Sequence, residues 1–175
     1  VGGNLVQSSS IAAGLEAVRV KGRTQVLPTP GHYTLLIDYA HNGASFDAIL
    51  SALAEHHPNR ILTVFGAGGD RPKLRRTEMA RSAARWADYA VLTADNPRSE
   101  RVEGICADIA AALGDLPHEI IPDRREAIFR ALSLAGTGDV VALLGKGHEE
   151  YIEENSVRHP FSERAVVEEF FRVRR

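Results

Sequence analysis

Cysteine is nearly missing from this chain: Cys106 stands alone. A single thiol builds neither an internal disulfide framework nor a multi-cysteine metal site, and it suits a reducing compartment, so a cytoplasmic location is expected. Long hydrophobic runs are missing as well. Nothing approaches the roughly 20 apolar residues that cross a bilayer, and the opening "VGGNLVQSSS" has neither a basic start nor an apolar signal core, so no membrane partner is expected. An excess of either charge is also lacking. Twenty-one Lys and Arg against 23 Asp and Glu leave a formal charge of −2. That balance lacks the basic footprint of a nucleic-acid binder and turns attention to small molecules or protein partners.

What is present is one domain's worth of alternating pattern. The 175 residues suffice for one core and are too few for two comfortable ones. Residues 1 to 14 read as a flexible lead-in and residues 15 to 175 as the domain. Short apolar runs at 33 to 40, 60 to 66, 88 to 94, 118 to 122 and 139 to 145 read as strands. Between them, Phe46, Ile49, Leu50 and Leu53 fall at the spacing of a helix with one buried stripe. Met79, Ala83, Trp86 and Ala87 repeat it, as do Val102, Ile105, Ile109 and Leu113. Asp123, with Glu126 three residues on, predicts a capping box before Ala127, Ile128, Ala131 and Leu132. Strands this continuously apolar predict an α/β fold, a single Rossmann-like domain whose mainly parallel sheet of about six strands is flanked by helices. "AVRVKGRTQVL", before the Pro28/Pro30 loop, supplies a candidate edge strand. After Gly147 a short hairpin turning at Glu154-Asn155-Ser156 is expected, then a last helix capped by Ser162 and carrying Val166, Val167 and Phe170.

In open α/β sheets, ligands bind beyond the carboxyl ends of the strands. Four of the predicted ends carry charged or glycine-rich loops: "DYAHNG" with Asp38, His41 and Asn42, "GAGGDR" up to Arg71, "DNPR" from Asp95 to Arg98, and "GKGHE" from Gly145 to Glu149. Each has a plain reading as turn and capping chemistry. A Walker loop fails on spacing, because Val140 stands where its first glycine belongs and Gly147 replaces its hydroxyl residue. His148 has no second ligand at adjacent helical spacing, so a metal site is not expected. Together the loops say more than each alone. Arg71, Arg98, Lys146, Glu149 and Asn96 on one rim pair guanidinium forks, which suit a carboxylate, with a carboxylate that suits an ammonium. That is a pocket for a zwitterion, an amino acid.

"LLIDYAHN", "FGAGGDR", "TADNPRSE", "IPDRREAI" and "GDVVALLGKGHE", in this order, resemble the C-terminal domain of the Mur ligases over residues 15 to 172, with "DNPR" resembling the motif of meso-diaminopimelate-adding members. The resemblance implies that Arg71, Asp95, Asn96 and Arg98 hold the carboxylate and polar end of meso-diaminopimelate, with Gly145 and Glu149 receiving its far amino group. It implies further that Arg23, Asp38 and His41 lie near ATP. Gly43 departs from the family's usual proline. The family reaction is ATP- and Mg2+-dependent amide formation on a UDP-N-acetylmuramoyl-dipeptide, in peptidoglycan biosynthesis, through an acyl phosphate. The metal and the catalytic phosphate loop belong chiefly to two further domains of the same chain, so the resemblance implies no catalytic residue here and no activity for this portion alone. Related readings are a lysine-adding Mur ligase, a folylpolyglutamate or cyanophycin synthetase, and a non-catalytic α/β binding module.

Overall fold

Strands Thr34–Asp38, Ile61–Phe65 and Val140–Leu144 are buried at every residue, as an interior parallel sheet with both faces covered requires. The computed structural model describes residues 24 to 173. In chain order the elements are β1 (Gln25–Leu27), β2 (Thr34–Asp38), α1 (Gly43–Ala54), β3 (Ile61–Phe65), α2 (Leu74–Trp86), β4 (Tyr89–Leu92) and α3 (Val102–Ala110). They continue as β5 (His118–Ile120), α4 (Arg124–Leu134), β6 (Val140–Leu144), β7 (Tyr151–Glu154), β8 (Val157–Pro160) and α5 (Glu163–Val173). The sheet runs β1-β2-β6-β3-β4-β5. Only β1 is antiparallel to its neighbour. The last long strand, β6, returns to the centre between β2 and β3.

Alternation along each strand divides the core into two layers. Leu36, Ala142 and Leu144 join Phe46, Leu50, Met79, Ala83, Ile105 and Ile109, so α1, α2 and α3 cover one face. Leu35, Ile37, Val141 and Leu143 join Ala127, Ile128, Ala131, Val166, Val167 and Phe170, so α4 and α5 cover the other. The predicted α/β class, the hairpin and the final helix are therefore present. The hairpin turns through Asn155 and Ser156, both at positive φ, the pair a two-residue I′ turn needs.

Local details differ from the sequence reading. Asp123 does cap α4, accepting from the Glu126 amide, but Glu126 returns no bond and instead pairs with Arg125. The reciprocal box lies at α1, where Asn42 accepts from the Ser45 amide at 2.9 Å and the Ser45 hydroxyl faces the Asn42 amide at 3.3 Å. Asn42 is thus a helix cap. β5 has an exposed, alternating profile, because it pairs on one side only, at the sheet edge. At Gly43 a Cβ would lie 2.6 Å from that of Glu78, so the absence of a side chain lets α1 and α2 approach closely.

Cys106 is fully buried, and burial pushes its thiol up to about 12. The thiolate is the reactive form. The folded protein should therefore resist alkylation by iodoacetamide at pH 8 and react only after denaturation, which mass spectrometry of the labelled peptide would read.

Candidate amino-acid site

The register sets the carboxyl ends of the four central strands along one edge. Asp38 stands opposite Leu144, Val64 opposite Leu143, and Phe65 opposite Leu92. The residues that follow form one cavity lined by Tyr39, His41, Gly68, Arg71, Arg75, Arg76, Asp95, Asn96, Arg98, Gly145 and Glu149. Seven residues singled out from the sequence thus meet: His41, Arg71, Asp95, Asn96, Arg98, Gly145 and Glu149. Asp38 does not line it. Its carboxylate accepts from the Ala40 amide at 2.7 Å and the Thr24 hydroxyl at 2.7 Å, holding the turn that carries Tyr39 and His41. Arg23 lies outside the described residues.

The loops after β3 and β4 are joined to each other by hydrogen bonds. The Gly69 amide donates to Asn96 O at 2.9 Å, and Arg98 Nη1 donates to Gly69 O at 2.7 Å. The Ser99 hydroxyl donates to Asp70 at 2.6 Å. Such closeness depends on glycine. A Cβ on Gly66 would lie 2.0 Å from Thr93 O, and one on Gly69 would lie 1.8 Å from Pro97 O. Gly66→Ala should consequently cost about 1–3 kcal/mol through overpacking against backbone that cannot yield. Urea denaturation would show it as a lower midpoint.

Arg98 adopts φ 53°, a left-handed conformation uncommon away from glycine. The β7–β8 hairpin accounts for it: the Arg98 amide donates to Glu153 O at 3.0 Å, and the Asn155 amide donates to Arg98 O at 2.8 Å. Held so, the guanidinium lies beside Gly68, where an added Cβ would sit 3.0 Å from Arg98 Nη1 and 3.6 Å from Arg71 Cγ. Among the described residues its one ion pair is with Glu153, at 3.7 Å. Arg71 is exposed and makes no ion pair or side-chain hydrogen bond among the described residues. Arg76, by contrast, is buried and committed to Glu100 at 2.6 Å and Asp108 at 2.7 Å.

A second group gathers around Lys146, whose side chain is wholly buried. Its ammonium donates to Asn96 Oδ1 at 2.9 Å and Glu149 Oε2 at 2.9 Å, stands 3.5 Å from Asp95, and faces the Tyr151 ring at 5.2 Å. Asn96 Nδ2 also donates to Glu149 Oε2, at 2.9 Å, and the Tyr39 hydroxyl reaches Oε1 at 3.3 Å. Burial alone would raise the Glu149 carboxyl. Hydrogen bonds from Lys146 and Asn96 overcome it and hold that carboxyl below its usual range. Burial and the adjacent Glu149 charge raise the Tyr39 phenol, so at neutral pH it is a donor. Two carboxylates against one ammonium leave this group one negative charge in excess.

Lys146 and Tyr39 are the residues whose part the sequence reading understated. Lys146 was visible only as one member of a mixed-charge rim, and Tyr39 as a strand residue, although its ring packs against His41 at 4.8 Å and His148 at 5.2 Å. Among the described residues no three His, Cys, Asp or Glu side chains are grouped to hold a metal ion. Nor is any described helix long and apolar enough to cross a membrane.

The chain is similar to known proteins over most of its length. The family described as "Mur ligase, glutamate ligase domain" matches residues 22–147. UDP-N-acetylmuramoyl-L-alanyl-D-glutamate--2,6-diaminopimelate ligase of Aquifex aeolicus is 39% identical over 165 residues, covering 94% of this chain and 34% of that protein. The ligase of the same name from Caldanaerobacter subterraneus is 43% identical over 162 residues, covering 91% and 34%. A solved structure of a ligase of that name matches with a TM-score of 0.82 at 33% identity, over 94% of this chain and 37% of the other. The bifunctional folylpolyglutamate synthase/dihydrofolate synthase of Yersinia pestis CO92 shares the fold, with a TM-score of 0.58 at 23% identity over 79% of this chain and 31% of the other. This chain spans about a third of the length of the ligases it matches.

Proposed function

Because the chain belongs to the Mur ligases, by a match to their glutamate ligase domain that spans residues 22–147, we propose that it is the amino-acid-binding part of a ligase that adds meso-diaminopimelate to UDP-N-acetylmuramoyl-L-alanyl-D-glutamate. One observation carries the reading. A single cavity has Arg71 and Arg98 about Gly68, and a cluster with one excess negative charge about Lys146 and Gly145. Guanidinium forks hold both oxygens of a carboxylate, and the excess charge is matched by an ammonium. A carboxylate and an ammonium on the same carbon are what one end of diaminopimelate offers and the side chain of lysine does not. The names of the relatives at 39% and 43% identity agree.

Gripped at that end, the substrate presents its other amine to the carboxylate that is to be joined. The work of these residues is then orientation of the nucleophile and exclusion of water. ATP with Mg2+ supplies the activation of that carboxylate when bound. Of the described residues, we assign His41 to the nucleotide: it lines the cavity, its Nδ1 2.8 Å from Tyr39 O. Asp38 is committed to Ala40 and Thr24 and would act by shaping that turn. As the likeness to the Mur ligases implies, the magnesium ligands are assigned chiefly to the rest of the longer protein. With the metal and the catalytic phosphate loop supplied there, this portion is inactive alone, and the full-length enzyme works in the cytoplasm.

The test is ADP release by the full-length ligase with the nucleotide-linked dipeptide and either meso-diaminopimelate or L-lysine. Turnover with the first and not the second is expected. Equal turnover with lysine contradicts the specificity, and no turnover with either contradicts the activity.

A further inference from the structure

Arg124 and Glu163 form a buried ion pair that no step above uses. Their side chains are 0% and 1% exposed. Arg124 opens α4 and Glu163 opens α5, and Nε and Nη2 of the arginine donate to the same Glu163 oxygen at 3.0 Å and 2.8 Å. A buried pair is weak evidence of a stabilising purpose, since well-packed apolar residues often do as well. The remaining bonds of the guanidinium suggest another purpose. Nη1 donates to Ala94 O at 2.7 Å, and Nη2 donates to Leu144 O at 2.8 Å.

Those two carbonyls stand immediately before the two halves of the cluster around Lys146. Ala94 precedes Asp95 and Asn96, and Leu144 precedes Gly145 and Lys146. Their strands, β4 and β6, are not neighbours, because β3 lies between them. The sheet ladder therefore fixes the separation of their ends only indirectly, and beyond β3 the chain continues as Gly66, without a side chain. A planar fork of five donors reaches both carbonyls and the carboxylate at once, whereas the lysine ammonium does not match that arrangement.

We propose that Arg124, seated by Glu163, is a positioning residue of the amino-acid site: it sets the separation of the Asp95–Asn96 and Gly145–Glu149 segments, and hence the geometry of the end that receives an ammonium. This rests on the functional reading above. The bonds at stake, Lys146 to Asn96 and Asn96 to Glu149, are both 2.9 Å, and a drift of one ångström exceeds what a hydrogen bond tolerates. Among the described residues the Glu163 carboxylate is held by Arg124 alone, its Oε2 having no hydrogen-bond partner there. The two buried groups also sense each other. Burial raises the Glu163 carboxyl, Arg124 opposes that, and Asp95 and Lys146 act on it in opposite directions.

The experiment uses the full-length ligase with Arg124→Lys and with Glu163→Gln, varying each of the three substrates in turn and recording thermal melts. Arg124→Lys should raise KM for meso-diaminopimelate about 10-fold or more, the scale expected for a misplaced binding group. KM for ATP and for the nucleotide-linked dipeptide should stay within about twofold. Glu163→Gln keeps an oxygen for Arg124 and removes the charge, and should raise the same constant about threefold, a loss of under 1 kcal/mol. A fall in kcat at unchanged KM, the sign of less folded enzyme, overturns the proposal, as does an equal rise in all three constants. If Arg124→Lys does not fold, Glu163→Gln decides by the same criterion. Failure of the wild-type enzyme to use meso-diaminopimelate sinks the functional reading instead, and the same comparison is then made with whichever amino acid it takes.

Discussion

Arg98→Ala in the full-length ligase should raise KM for meso-diaminopimelate by a factor corresponding to about 2–5 kcal/mol, the loss of a charged hydrogen-bonded contact. The constants for the nucleotide-linked dipeptide and ATP should hold. The size of the effect follows from how little else engages this guanidinium. Among the described residues Glu153 stands 3.7 Å away, and the one short bond of the side chain is to a backbone carbonyl. The direction of the effect follows from the site's asymmetry. Removing Arg98 leaves the group around Lys146 intact, so ammonium recognition survives while carboxylate recognition fails. The variant should therefore discriminate less between meso-diaminopimelate and lysine, chiefly by losing the former. Unchanged kinetics would remove Arg98 from the site.

Lys146→Met is expected to cost stability on a comparable scale, about 3–5 kcal/mol, because breaking a buried pair strands its partner charges. Here Asp95, Asn96 and Glu149 all lose a donor at once. The pH dependence supplies a sharper sign. Glu149 titrates below its unfolded value in the wild type, so its contribution is present above the unfolded carboxylate value of about 4.3 and is lost as pH falls through the lower folded value. Without Lys146, burial dominates and the carboxyl should rise. Acidification then relieves the stranded charge, and the gap between variant and wild type should narrow from pH 7 to pH 4. Chemical denaturation across that range reads it. A gap that stays constant or widens would mean that Lys146 does not neutralise Glu149.

Why one buried lysine matters this much, and why it was hard to see, have the same cause. Lysine is rarely buried unless paired, and Asn96, its partner, lies 50 positions away in sequence. No spacing rule connects them. The same holds for Arg124, which follows a recognisable cap and looks like an ordinary first-turn residue, while its partners lie 20, 30 and 39 positions off. Local patterns fared differently. The buried stripe of α1 at Phe46, Ile49, Leu50 and Leu53, the Asn155-Ser156 turn and the Ser162 cap are all written within a few residues, and each is present. The strand-end loops fall between these cases. Their convergence follows from parallel topology, so "GAGGDR", "DNPR" and "GKGHE" could be expected on one rim, but which of their charges point to ligand and which to each other depends on side-chain packing. Asn42 is an instance of the plain reading winning, since its side chain is spent on the α1 cap.

The left-handed backbone at Arg98 bears on the motif itself. Pro97 and Arg98 form the corner at which the β7–β8 hairpin is hydrogen-bonded to the cavity wall. The guanidinium of Arg98 is thus held in position from two sides, Gly69 in front and the hairpin behind.

The most direct measurement is a crystal structure of the full-length ligase with meso-diaminopimelate bound. The expected result has one carboxylate of the ligand within hydrogen-bond distance of Arg71 and Arg98, and the ammonium on the same carbon within reach of Glu149, Asp95 or Asn96. A ligand bound elsewhere, or bound with that carboxylate turned away from both arginines, would contradict the account.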